Sequence, residues 1–261
     1  MRHIIIISCF LFFCVIRLLS QECAPNDKIR REVTNTLESP YKYICQLSIR
    51  RQRGTFNATG FLIAPRIILT AGHNIHRFSM FSFPKHITII PGAVYTSNNK
   101  TPYGKYEYDR KKLKIITHPA YKGISTRRSD FGIIILPDDS IFKQVGGFLD
   151  IDDYDQVKHE IDTLMISGYP GDKDYGTQWT EMTEKINDKN GMIIYGLYTH
   201  TGLSGAPILY KRKMQNQYFV VGIHNTGSLN GTTHCNAATK IDNDIENLIT
   251  DWIFKYSKIL D

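Results

Sequence analysis

Thr201-Gly202-Leu203-Ser204-Gly205-Ala206-Pro207 sets a glycine-flanked serine at the mouth of a β-rich run, Ala206–Tyr210. A serine hydroxyl is a poor nucleophile at neutral pH and needs an imidazole within hydrogen-bond reach to take its proton. Two stretches upstream supply the missing groups. Thr70-Ala71-Gly72-His73 follows the apolar start of a strand at Ile67, and Ser129-Asp130-Phe131-Gly132 places an acid directly before Ile133-Ile134-Ile135-Leu136. Singly, each has an ordinary explanation: a polar histidine, a turn-forming aspartate, a glycine turn. In the order His, Asp, Ser, each at a strand boundary, they specify nucleophilic catalysis. Ser204 is then the nucleophile, His73 the general base, and Asp130 the group that fixes the imidazole's tautomer. Glycines around the serine allow the sharp turn that aims N–H groups at a developing oxyanion, which assigns that role to the amides of Gly202 and Ser204.

The rest of the chain has the periodicity of strands. Tyr43–Ile49, Phe61–Ala64, Ile67–Thr70, His86–Ile90, Leu113–Ile116 and Phe131–Leu136 form one set of short β-rich runs. Thr163–Gly168, Gln178–Ile186, Met192–Tyr198, Ala206–Tyr210, Phe219–Ile223 and Ala237–Ile241 form a second. Many short strands separated by turn residues predict an all-β fold of sandwiches or barrels. The polar, irregular stretch between Pro137 and Glu160 divides two β-halves, 33–145 and 146–242. Only residues 243–261 read as a helix, capped by Asp242, Asn243 or Asp244. Ile245, Leu248, Ile249, Trp252, Ile253 and Tyr256 line one face, for docking against the β-core.

At the other end, Arg2 and His3 precede the apolar run Ile4–Ile16, and Ser20 is a small residue at the exit. This layout predicts a signal peptide over 1–20, followed by an N-terminal segment over 21–32 and secretion of the rest. The run is short for a spanning helix, so no membrane association is expected after its removal. The chain of 261 residues carries a net charge of +7; losing Arg2 and Arg17 with residues 1–20 leaves +5. The basic residues are scattered. Arg50, Arg51 and Arg53, like Arg110, Lys111, Lys112 and Lys114, read as solvated strand ends or loops, and no aromatic stacking motif accompanies them. Nucleic acid is therefore not an expected partner. Cys23, Cys45 and Cys235 remain after the signal, enough for one disulfide and one free thiol, with the pairing open. Sequons at Asn57, Asn99 and Asn230 fit an exported protein. His73 and His76 have a metal-compatible spacing but no third ligand, so neither metal nor cofactor is expected.

Beyond these patterns, the chain resembles the chymotrypsin-fold serine proteases, and among them the bacterial glutamyl endopeptidases. The resemblance rests on Thr70-Ala71-Gly72-His73, on Gly168-Tyr169-Pro170-Gly171-Asp172-Lys173 with Gly176-Thr177-Gln178-Trp179, and on Gly202-Leu203-Ser204-Gly205-Ala206-Pro207. Arg31-Glu32-Val33-Thr34-Asn35-Thr36, with Pro40-Tyr41, resembles the start of the mature bacterial enzymes. The resemblance implies two six-stranded antiparallel β-barrels with a cleft between them, His73 and Asp130 on the first and Ser204 on the second. It implies a pocket for a glutamate (or aspartate) side chain in which His224 and Thr199 match the family's histidine and threonine, with His200 as an additional candidate. The expected function is that of a secreted, monomeric serine endopeptidase acting on peptides or proteins through an acyl-enzyme. The alternatives are a same-fold protease of other specificity, or a non-catalytic basic binding protein on a protease scaffold. Ala58 and Asn74 stand where many relatives have the cysteines that bracket the catalytic histidine, so packing is expected to hold that loop. Leu203 narrows the cleft beside the serine, and the short stretch before the aligned start leaves little room for a propeptide.

Overall fold

A computed structural model describes residues 29–76, 83–94, 101–227 and 235–257. The expected signal peptide, Cys23, and the sequons at Asn99 and Asn230 lie outside them. Among the described residues, sixteen strands fall into two sheets. The first joins β2 (Ile44–Arg51), β3 (Gly54–Ala64), β4 (Ile67–Thr70), β5 (His86–Pro91), β6 (Tyr106–Asp109), β7 (Lys114–Thr117) and β8 (Gly132–Ile135), in the order β6-β5-β2-β3-β4-β8-β7. The second is built on β10 (Leu164–Gly168), β11 (Trp179–Thr183), β12 (Ile186–Lys189), β13 (Met192–Tyr195), β14 (Pro207–Arg212), β15 (Gln217–Thr226) and β16 (Asn236–Lys240). It adds β1 (Arg31–Glu32) at one edge and β9 (Asp150–Ile151) beside β15, giving the order β1-β11-β10-β14-β15-β16-β13-β12. All pairings are antiparallel except the short one between β9 and β15.

The all-β class is as expected, but seven and nine strands replace six and six. Two of the additions, β1 and β9, are two residues long and carry no periodicity to read. The run Gln178–Ile186 breaks into β11 and β12 where Lys185 N donates to Thr183 Oγ1 (3.1 Å), a local turn that ends the ladder.

Three apolar clusters explain the sequence pattern. Cys45, Leu47, Ile49, Leu62, Ile68 and Ile134 fill the first sheet's own core. Leu164, Ile166, Ile208, Tyr210 and Val221 fill the second's. Between them lies a third cluster with members from both sheets: Ile67, Leu69, Ile133 and Ile135 meet Met165, Leu209, Val220 and Ile223. Successive strand residues point to opposite faces. Ile134 therefore enters one core while Ile133 and Ile135 enter another, which is why this run is apolar throughout rather than alternating.

Short helices α1 (Gly72–Ile75), α2 (Ser140–Val145) and α3 (Tyr154–Val157) precede the C-terminal α4 (Asn243–Tyr256). The last two short ones fall in the stretch expected to be irregular. Asp242 is the N-cap of α4, accepting from Ile245 N at 3.3 Å. Ile245, Ile249 and Trp252 are buried in the central cluster, with Leu248, Ile253 and Tyr256 packed against it, as the helical stripe predicts. Cys45 is a buried free thiol. Cys235 is disulfide-bonded, and its partner lies outside the described residues.

Candidate active site

His73 sits on α1, one turn beyond the end of β4. Its Nδ1 donates to Asp130 Oδ2 at 2.7 Å, and its backbone N donates to Oδ1 of the same carboxylate at 2.8 Å. One carboxylate thus grips both the ring and the main chain of the histidine, fixing position and ring rotation together. Because the carboxylate only accepts, the shared proton lies on Nδ1 and leaves Nε2 as the basic nitrogen. Asp130 is 5% exposed, while the His73 side chain is 31% exposed, so the ring is anchored on its buried edge and open on the other.

The loop after His73 is held differently from the expectation. Arg51 is buried, not solvated, and its Nη2 donates to the carbonyls of His73 (3.0 Å) and Asn74 (2.5 Å). Asn74 Nδ2 donates to Thr70 Oγ1 (3.0 Å) and to the carbonyl of Ser204 (2.7 Å). Hydrogen bonds, rather than packing alone, replace the missing bracketing disulfide. The Asn74 contact also ties the residue after the histidine to the serine itself.

Ser204 belongs to a turn clamped from two sides. From the first sheet, Thr59 N donates to Ser204 O (3.0 Å) and Thr59 Oγ1 donates to Gly202 O (2.8 Å), while Tyr169 N donates to Thr59 Oγ1 (3.1 Å). From the second half, Gly171 N donates to Thr201 O (2.6 Å) and Gly205 N to His224 O (2.6 Å). A trans peptide carries its C=O and N–H on opposite sides. Tying Thr201 O to Gly171 therefore turns Gly202 N–H the other way. Among the described residues, neither Gly202 N nor Ser204 N donates to any group, so both remain available as oxyanion donors. Gly202 needs its glycine: φ is +98° and an added Cβ would lie 2.5 Å from Tyr169 O. The Ser204 hydroxyl makes no hydrogen bond to a described residue.

The acid's own loop is fastened from the second sheet. β15 carries a bulge between His224 and Thr226, and the displaced Asn225 donates through Nδ2 to Arg127 O (2.9 Å), Asp130 O (3.2 Å) and Thr239 Oγ1 (2.7 Å). One residue earlier, His224 is 3% exposed, with Nδ1 2.7 Å from the hydroxyl of Tyr195. Burial, and then the nearby charge of His73, push its pKa down to about 3, against a smaller opposing effect of the Ala237 carbonyl, so His224 is neutral. Thr199 is partly exposed and hydrogen-bonds to no described residue. His200 is exposed and turned along the loop, its Nδ1 3.0 Å from Thr201 Oγ1 and 3.9 Å from Asp172 Oδ1. Asp172 is held in turn by Arg30, at 3.0 and 2.6 Å, and the Arg30 guanidinium stacks over the Tyr198 ring. The sequence reading missed Arg51, Thr59, Asn74, Tyr195 and Asn225. Their residue types name no chemistry.

Comparisons with known proteins bear on this geometry. A glutamyl endopeptidase of Bacillus licheniformis is 29% identical over 85% of this chain and 66% of its own length. An extracellular metalloprotease of Bacillus subtilis is 26% identical over 85% and 67%, and a glutamyl endopeptidase of Staphylococcus aureus 24% identical over 86% and 62%. The chain thus spans about two thirds of the length of the curated relatives it matches. These names disagree on chemistry, and among the described residues no group of three or more metal-ligating side chains is gathered. A solved Glu endopeptidase in complex with MPD superposes with a TM-score of 0.71 at 27% identity, covering 88% of this chain and 98% of that one. A thermostable serine protease from an extremophilic microorganism shares the fold at 12% identity, with a TM-score of 0.65 and coverage of 83% and 98%. The Trypsin family profile matches residues 33–253, which takes in every strand but β1 and all of the His73, Asp130 and Ser204 loops: the chain belongs to the trypsin family of serine peptidases.

Proposed function

We propose that the protein is a secreted serine endopeptidase that cuts peptides after glutamate, or aspartate, through an acyl-enzyme. The observation that carries the reading is the double grip of Asp130 on His73, one residue before the asparagine that holds Ser204. Ser204 Oγ attacks the scissile carbonyl while His73 Nε2 takes its proton. Asp130 keeps the ring in the tautomer that permits this and stabilises the imidazolium. The oxyanion lies on Gly202 N–H and Ser204 N–H, and the imidazolium protonates the leaving amine. Water then repeats the sequence to release the acid. His224 with Thr199 receives the acidic side chain on the acyl side of the cut, and His200 borders the site. The buried histidine motivates the glutamyl preference, because a carboxylate taken out of water needs a donor there. Secretion rests on the signal-like residues 1–20; among the described residues no helix is long and apolar enough to cross a membrane.

The test is hydrolysis of paired chromogenic peptides differing only in Glu or Gln before the cut, by the mature chain and by Ser204→Ala. Replacing the nucleophile lowers kcat by about 10⁶-fold while the thermal midpoint holds. Hydrolysis retained by Ser204→Ala refutes the mechanism; Ser204-dependent cleavage indifferent to Glu or Gln keeps the protease and discards the pocket.

A further inference from the structure

Tyr195 lies at the end of β13, wholly buried, and its hydroxyl has a single hydrogen-bond partner among the described residues, His224 Nδ1 at 2.7 Å. A buried phenol hydroxyl that meets one ring nitrogen must place its proton there, since leaving it unpaired costs the full desolvation of a donor. Donation from Tyr195 requires a lone pair on Nδ1. A neutral imidazole has one lone pair and one N–H, so the N–H is then on Nε2. Burial keeps the ring neutral, and protonating it would place a second hydrogen between Nδ1 and an oxygen whose own hydrogen has nowhere else to go.

We propose that Tyr195 is a specificity-determining positioning residue, which fixes His224 as a one-way donor toward the side chain preceding the cut. This rests on His224 lining the substrate pocket, as proposed above. A histidine free to change tautomer serves two ligands: it offers N–H to a carboxylate, or a lone pair to the amide of glutamine. Tyr195 removes the second option. Glutamate makes a charge-assisted hydrogen bond to this N–H, whereas glutamine can offer it only the neutral amide oxygen, a weaker acceptor, and finds no acceptor there for its amide hydrogens. Discrimination comes from the stronger bond a carboxylate makes to a fixed donor and from the lone pair withheld from glutamine, not from a positive charge inside the pocket.

Tyr195→Phe, His224→Ala and the double variant are compared with the wild type on the Glu and Gln peptides. Tyr195→Phe raises KM for the Glu peptide about tenfold and lowers or leaves KM for the Gln peptide, with kcat changed less than about threefold on either. In the His224→Ala background the same change leaves the Glu:Gln ratio where it is, since Tyr195 acts only through that ring. If Tyr195→Phe leaves the ratio unchanged or raises it, while His224→Ala collapses it, the role of Tyr195 is overturned and the pocket stands. If His224→Ala leaves the ratio intact, the pocket itself is wrong and the inference falls with it. Imidazole nitrogen-15 shifts of His224 in the wild type give a second readout independent of turnover and of the variant's folding. Nδ1 at the acceptor position supports the proposal, and a protonated Nδ1 overturns it.

Discussion

The histidine half and the serine half of the site are secured by different means. His73 and Asp130 are fixed by a side-chain carboxylate, on ring and backbone at once. The Ser204 turn is fixed almost entirely through its main chain: Thr201 O accepts from Gly171, Gly202 O from Thr59, and Ser204 O from Thr59 and Asn74, and two N–H groups are left pointing elsewhere. The difference follows from what each half must do. A general base needs one ring held in one tautomer, which a single carboxylate provides. An oxyanion site needs two amides aimed at a point, and amides are aimed by controlling peptide planes.

Substitutions can break this contrast. Asp130→Asn removes the acceptor that selects the Nδ1–H tautomer and should lower kcat by about 10⁴-fold with little change in KM. A loss under tenfold in steady-state hydrolysis would mean that the backbone, not the carboxylate, holds the ring. Gly202→Ala attacks the other half: it adds a Cβ 2.5 Å from Tyr169 O at a φ of +98° and should cost about 10²–10³-fold in kcat by displacing one oxyanion donor. Near wild-type turnover there would show that the peptide plane is not what matters. A smaller effect is expected from Asp172→Asn, which weakens the Arg30 pair one residue beyond Gly171. Loosening the loop that holds Thr201 O should lower kcat about tenfold and leave the pKa seen in the kcat profile in place. A shift of that pKa instead would place Asp172 in the electrostatics of His73.

The gentlest probe is pH. The folded pKa of His224, about 3, is depressed below its unfolded value of 6.5. Its contribution to stability is therefore present above pH 6.5 and is lost as pH falls toward 3, at roughly 1 kcal/mol per pH unit, because unfolding takes up a proton that the native ring refuses. Urea midpoints should fall over this window in the wild type more steeply than in His224→Asn. Equal slopes would show that the ring already carries its proton in the folded chain.

The candidate catalytic residues could be picked out because the chemistry limits the side chains that can do it. Histidine, aspartate and serine at three strand ends, in that order along the chain, have few other joint meanings. The all-β class was legible from periodicity, and the docking stripe of α4 from helical spacing. The isoleucine run before Leu136 read as a β-rich run, but nothing in it said which core each residue enters. What the sequence could not declare are contacts between residues far apart in the chain with no signature of their own. Arg51 looked like one of a group of surface arginines, and only the fold turns it under the His73 loop. Thr59 looked like a strand residue, yet it bridges Gly202 and Tyr169, both more than a hundred positions away. Tyr195 and Asn225 gain their roles from a sheet register and a bulge, which depend on how whole strands pair. Residue type thus determined which reaction groups are present. The tertiary structure alone decided which peptide planes face the cleft and which ring nitrogen carries a proton, because those depend on partners that chain order does not make neighbours.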